Sequence, residues 1–97
     1  MIVHIVMFKF KEKDKQENLL KVKALLEELV LKIDELISLE VGINFDRADR
    51  AFDLSLYSKF ASKENLNTYA THKEHLKVVE FIKTVVEESK VVDYILE

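Results

Sequence analysis

Tyr69-Ala-Thr-His-Lys-Glu-His75 interrupts what would otherwise be one long helix. Placed on a wheel at about 100° per residue, Val78, Val79, Phe81, Ile82, Val85 and Val86 form one broad apolar face. Lys77, Glu80, Thr84, Glu87 and Glu88 form the opposite one, the pattern of a surface helix laid on a core. His75 falls in the middle of the apolar face, four residues before Val79 and seven before Ile82, and His72 falls on its edge. Upstream, Leu66, Tyr69 and Ala70 make an i, i+3, i+4 set behind Ser62, a residue of N-cap type. Continued as one straight helix, that set would point roughly opposite to Val79. Both sets can be buried only if the helix breaks between Ala70 and Lys73, which turns Tyr69 back towards His75.

Before this region the chain alternates strand and helix signals. Ile2–Phe10 is β-branched and aromatic and reads as a strand, with Ile2, His4, Val6, Phe8 and Phe10 on one side and Val3, Ile5, Met7 and Lys9 on the other. Asp14 and Glu17 have the spacing of a capping pair. Leu19, Val22, Leu26, Leu29, Val30 and Ile33 then repeat at helical spacing, predicting an amphipathic helix of about five turns. Leu39–Phe45 alternates and predicts a strand, with Gly42, the chain's single glycine, marking a bulge or a close contact. Asp46–Arg50 reads as a charged, solvated turn. Phe52–Phe60 alternates again, setting Phe52, Leu54, Leu56 and Phe60 against Asp53, Ser55, Tyr57 and Lys59, and Lys90–Leu96 closes as a fourth strand. The order is βαββαβ, which predicts an α+β, ferredoxin-like protomer with a four-stranded antiparallel sheet. A single domain over residues 1–97 is expected, because no Pro- or Gly-rich linker divides the chain.

The first strand is apolar on both sides, yet two helical regions can cover only one face of such a sheet. Leaving Val3, Ile5 and Met7 in water would forgo roughly 1.5–3 kcal/mol each. The expected cover is a second copy, making a homodimer through the open sheet face.

Composition narrows the function classes. A hydrophobic content of 48% against 34% charged residues is that of a folded domain rather than a disordered one. The formal net charge of −3, with mixed signs, argues against nucleic acid as a partner. No apolar run approaches the roughly 20 residues that span a bilayer, so no membrane partner is expected and a cytoplasmic location is the default. Without cysteine there is no disulfide and no thiol nucleophile. His72 and His75 stand three apart, but a convincing metal site needs a third protein ligand with the right geometry. No metal and no cofactor are assigned.

The opening HIVMFKFK, the FDLSLYSKF strand, the Y-x-x-H-x-x-H stretch and the VVDY ending together resemble the stress-responsive α/β-barrel (Dabb) domain family over nearly the whole chain. The resemblance implies a ferredoxin-like protomer paired into a dimeric α+β barrel. Most members have no established activity; one plant member is a cyclase that closes a linear polyketide by an intramolecular aldol reaction. Its catalytic histidine and tyrosine fall on His75 and Tyr69, and its first-strand pocket residues include His4, Val6 and Phe8. On that reading His75 is a general base and Tyr69 a hydrogen-bond donor to an enolate oxygen. His4 orients the substrate, while Val6, Phe8, Leu54 and Leu56, with His72 nearby, complete a pocket for an apolar small molecule between sheet and helices. The leading expectation is a domain of undefined activity that binds such a molecule in this pocket; the cyclase-like enzyme with a His base and a Tyr donor, and a small monooxygenase-type dimeric barrel by analogy of fold, are its alternatives.

Overall fold

The computed structural model describes residues 1–97. Its elements are β1 (Ile2–Phe10), α1 (Lys15–Lys32), β2 (Ser38–Ile43), β3 (Leu54–Phe60), α2 (Lys63–Thr71), α3 (Lys73–Val85) and β4 (Val86–Ile95). The second helical region is thus two helices, broken at His72. The four strands form one sheet in the order β2-β3-β1-β4, every pair antiparallel. The two helix-bearing halves therefore interleave: β1 and β3, the strands that lead into helices, lie side by side in the centre.

Side chains of β1 alternate between faces. Ile2, Phe8 and Phe10 join Leu54, Leu56 and Phe60 of β3 and Val41 of β2 in the core beneath the helices. Leu19, Val22, Leu26 and Leu29 close that core from α1, and Val78, Ile82 and Val85 from α3. The opposite face has no helix. There Ile5 pairs across with Tyr57 and Val92, and Met7 with Ser55 and Lys90. Met7 is 43% exposed, and Val92 and Tyr94 are exposed on β4. Val3, between Lys59 and Tyr94, is already buried within the protomer.

Several local expectations need correction. Asp14 does stand at the N-cap of α1, and its carbonyl accepts from Asn18 N at 3.0 Å. Its φ of 53°, however, is left-handed, and its side chain makes no capping hydrogen bond; the usual cap needs an extended residue there. Gly42 marks neither a bulge nor a tight approach. The β2–β3 register is regular, and a Cβ at Gly42 would meet Ser55 Oγ at 3.5 Å, an ordinary contact. The register shift lies instead between Lys9 and Phe10, against β4.

Strand β2 stops at Ile43, so Phe45 stands in the following loop, 97% exposed. Asp53 does not belong to the open face: its Oδ2 accepts from Phe10 N at 2.7 Å and its backbone N–H donates to Phe8 O at 2.8 Å, which ties the end of β1. Strand β4 starts four residues earlier than the alternation suggests, directly from Val85, whose carbonyl accepts from Lys11 N at 2.9 Å.

Candidate functional site

The site is built on the helix break. His72, extended at φ −65° and ψ 137°, serves as C-cap of α2 and N-cap of α3. Its Nδ1 accepts from Glu74 N at 3.0 Å. In an unbroken helix that N–H would donate to the carbonyl of Ala70. The carbonyl is left without a helical donor, and His75 Nδ1 takes the position 3.0 Å from it. A carbonyl oxygen only accepts, so Nδ1 carries the ring proton and Nε2 holds the lone pair of the neutral ring. Burial pushes the pKa of His75 below its ordinary 6.5, and the Ala70 carbonyl opposes this in part. The outcome is a neutral imidazole whose unprotonated nitrogen makes no hydrogen bond within the protein.

Tyr69, one residue before Ala70, is only 1% exposed. Its ring lies 4.4 Å from that of His75, 5.0 Å from Phe60 and 6.4 Å from His4, centroid to centroid. The hydroxyl is buried with no hydrogen-bond partner, a cost of roughly 1–3 kcal/mol for such a group. Burial raises its pKa well above the ordinary 10, so it stays protonated and able to donate.

On the sheet side, His4 Nδ1 is hydrogen-bonded to Asp93 Oδ1, its cross-strand neighbour on β4. The carboxylate fixes the orientation of the ring, as such partners do for functional histidines. Neither Asp93 nor the buried Ser58, whose Oγ donates to His4 O at 3.0 Å, stands out as a site residue in the sequence. Asp93 has one visible signal, a carboxylate set between the apolar pairs Val91-Val92 and Tyr94-Ile95 of the closing strand.

His4 and His75 line a common cavity of about 370 Å³ between the sheet and α3. Val6, Phe8 and Leu56 form its floor, Leu26 comes from α1, Val79, Ile82 and Lys83 from α3, and Val86–Ser89 from the start of β4. The volume lies within the range of small-molecule sites. Of the residues singled out in the sequence, His4, Val6, Phe8, Leu56 and His75 are brought together here. Tyr69 sits behind the wall against His75, and Leu54 belongs to the closed core. His72 does not reach the cavity, because its ring nitrogen is spent on the helix cap. No three His, Asp or Glu side chains converge as metal ligands would. A larger cleft of about 880 Å³, between the start of α1 and the 44–53 loop, is lined mostly by charged and polar groups and holds no histidine.

The family model described as the stress responsive A/B barrel domain matches residues 2–96. The chain belongs to that family. A stress-response A/B barrel domain-containing protein of Arabidopsis thaliana is 29% identical over 104 residues, a match that takes in all of this chain and 48% of that protein. This A/B barrel chain therefore spans about half the length of the curated relative it matches. Among solved structures, a dimeric protein of unknown function and ferredoxin-like fold from Bacteroides fragilis is 30% identical. It superposes with a TM-score of 0.87 over 96% of this chain and 93% of that one. A hydroxynitrile lyase from Passiflora edulis reaches the same TM-score at 22% identity, over 99% of this chain and 93% of its own. At that identity the likeness shows the fold alone. No helix of the A/B barrel domain is long and apolar enough to cross a membrane.

Proposed function

We propose that this chain pairs with a second copy through the open face of its sheet. In the cavity under α3 it binds a small, largely apolar carbonyl compound, with His75 as the base that takes a proton from the carbon next to the carbonyl. The observation that carries this reading is the state of His75: neutral, held at Nδ1 by Ala70, with Nε2 unpaired on a residue that lines the cavity. When Nε2 takes the proton, the electron pair of the C–H bond moves onto the carbonyl oxygen as an enolate. The Tyr69 hydroxyl, protonated and without a protein partner, lies behind the cavity wall against the His75 ring, so it can donate to that oxygen only where ligand binding opens the wall between them. His4, braced by Asp93, orients the substrate from the sheet side, and Val6, Phe8 and Leu56 hold its apolar part.

Two likenesses support the reading. The related Bacteroides fragilis protein is dimeric. A lyase, the Passiflora edulis hydroxynitrile lyase, is built on this fold.

The test needs no knowledge of the natural substrate. With 2-octanone as probe in deuterated buffer, the protein should accelerate exchange of the hydrogens next to the carbonyl, and His75→Ala should lose that acceleration. Saturable binding of the ketone without exchange that depends on His75 would reduce the domain to a binder.

A further inference from the structure

The cavity under α3 has its two imidazoles at one end and a cation at the other. Lys83 lies eight residues beyond His75 on the same helix, about 12 Å along the axis at 1.5 Å per residue, and lines the same cavity. Glu87 and Glu88 stand at this end as well, but both are already paired. Glu87 Oε1 is 3.6 Å from Lys9 Nζ, and Glu88 Oε2 is 3.2 Å from Lys90 Nζ. Lys83 is bonded to neither glutamate nor to any other group of the protein. Between the two ends the walls are Val6, Phe8, Leu56, Val79 and Ile82, with no charged group among them.

From this distribution we infer that the cavity takes an elongated apolar acid, with its carboxylate on Lys83 and its reacting carbonyl beside His75. The inference rests on the proposed carbonyl-binding role of the cavity and adds the class of ligand. A long methylene stem lets the ammonium of Lys83 reach over the rim while its carbons cover apolar wall. Because Lys9 and Lys90 neutralise the two rim carboxylates, an incoming anion meets one uncompensated positive charge. A neutral ketone of the same length would gain the wall contacts without that charge.

The experiment compares 8-oxononanoate, which carries a methyl ketone at one end and a carboxylate at the other, with its methyl ester. Dissociation constants are measured by calorimetry for the wild type, Lys83→Gln and Lys83→Glu. The wild type should prefer the acid by about tenfold at low salt, and the preference should shrink as salt is added. Lys83→Gln should abolish the preference and Lys83→Glu reverse it. The ratio of the two constants reads the carboxylate subsite whatever happens to absolute affinity, and melting curves confirm that the variants are folded. Equal affinities for acid and ester in the wild type, unchanged by Lys83→Gln, would overturn the inference while leaving the cavity as a carbonyl site. If neither probe binds, or if a cavity-filling Val79→Trp binds both as the wild type does, the cavity is not the site and both readings fall.

Discussion

His75 Nδ1 stands 3.0 Å from the carbonyl oxygen of Ala70, across the break between α2 and α3. The contact exists because the ring of His72 has taken the N–H of Glu74, which would otherwise have closed a helical turn on that carbonyl. One histidine makes the break and the other exploits the acceptor it frees. Backbone geometry thereby sets the tautomer of His75, with no side-chain acid required on that nitrogen.

Stability should depend on pH through His75. Burial holds its folded pKa below 6.5. Between the folded pKa and about 6.5 the unfolded chain binds a proton that the native state does not, so stability rises with pH across that window. The contribution is complete above about 6.5 and is lost as pH falls from there towards the folded pKa. Urea midpoints measured for the wild type and His75→Gln should therefore diverge least in mild acid and most at neutral pH. Parallel profiles would show that the imidazole is not desolvated.

Tyr69→Phe should leave the ligand-free protein as stable as the wild type or more so, by up to about 1 kcal/mol, because it deletes a buried hydroxyl that has no partner. The same change should slow His75-dependent exchange on 2-octanone. Tyr69→Ala, by contrast, empties a fully buried site against Phe60 and His75 and should cost on the order of 3–5 kcal/mol. A Tyr69→Phe protein that melts well below the wild type would mean that the hydroxyl has a partner.

The phase change between Leu66–Tyr69–Ala70 and Val78–Val79–Ile82 was enough to locate the break, because two apolar faces on opposite sides of one straight helix cannot share a core. The alternation of β1 placed His4 on the side of Phe8 and Phe10 for the same reason. The His4–Asp93 bond is hidden in the sequence, since the two residues lie 89 positions apart and meet only through the register of β1 against β4. Leu54 and Leu56 have the same phase along β3, so periodicity cannot say that Leu56 alone reaches the cavity. Phe45 continued the alternation of β2, but the strand ends before it: the next backbone bond, Asn44 N to Asp53 O at 2.9 Å, closes the loop instead.

His72 should prove structural. Its side chain caps α3, and His72→Ala should cost about 1 kcal/mol, as loss of an N-cap commonly does. Asn or Asp at position 72 can accept from the same N–H and should restore most of the stability. Since His72 does not line the cavity, His72→Asn should bind 2-octanone as the wild type does. Calorimetric binding alongside thermal melts separates the two effects, and a capped variant with weakened ketone binding would place His72 in the site after all.

The pairing of two protomers through the open face can be tested at Ile5 and Met7, central on that face, where Ile5 is flanked by Tyr57 and Val92 and Met7 by Ser55 and Lys90. An apolar surface on which Met7, Val92 and Tyr94 are exposed and Ile5 is half-buried is a poor water interface, and fully covering such a side chain contributes up to roughly 1.5–3 kcal/mol. A carboxylate placed at position 7 would be taken from water by the partner copy and brought close to its own symmetry mate, and its cross-strand neighbour Lys90 is already engaged by Glu88. Met7→Glu should therefore sediment as a monomer at concentrations where the wild type sediments as a dimer. The helix face is untouched, since Met7 points away from the core, so far-UV circular dichroism should remain native-like. A Met7→Glu dimer as tight as the wild type would move the interface to another surface. The edge strands β2 and β4, whose outer backbone groups the sheet leaves unpaired, would then be the next place to introduce charge.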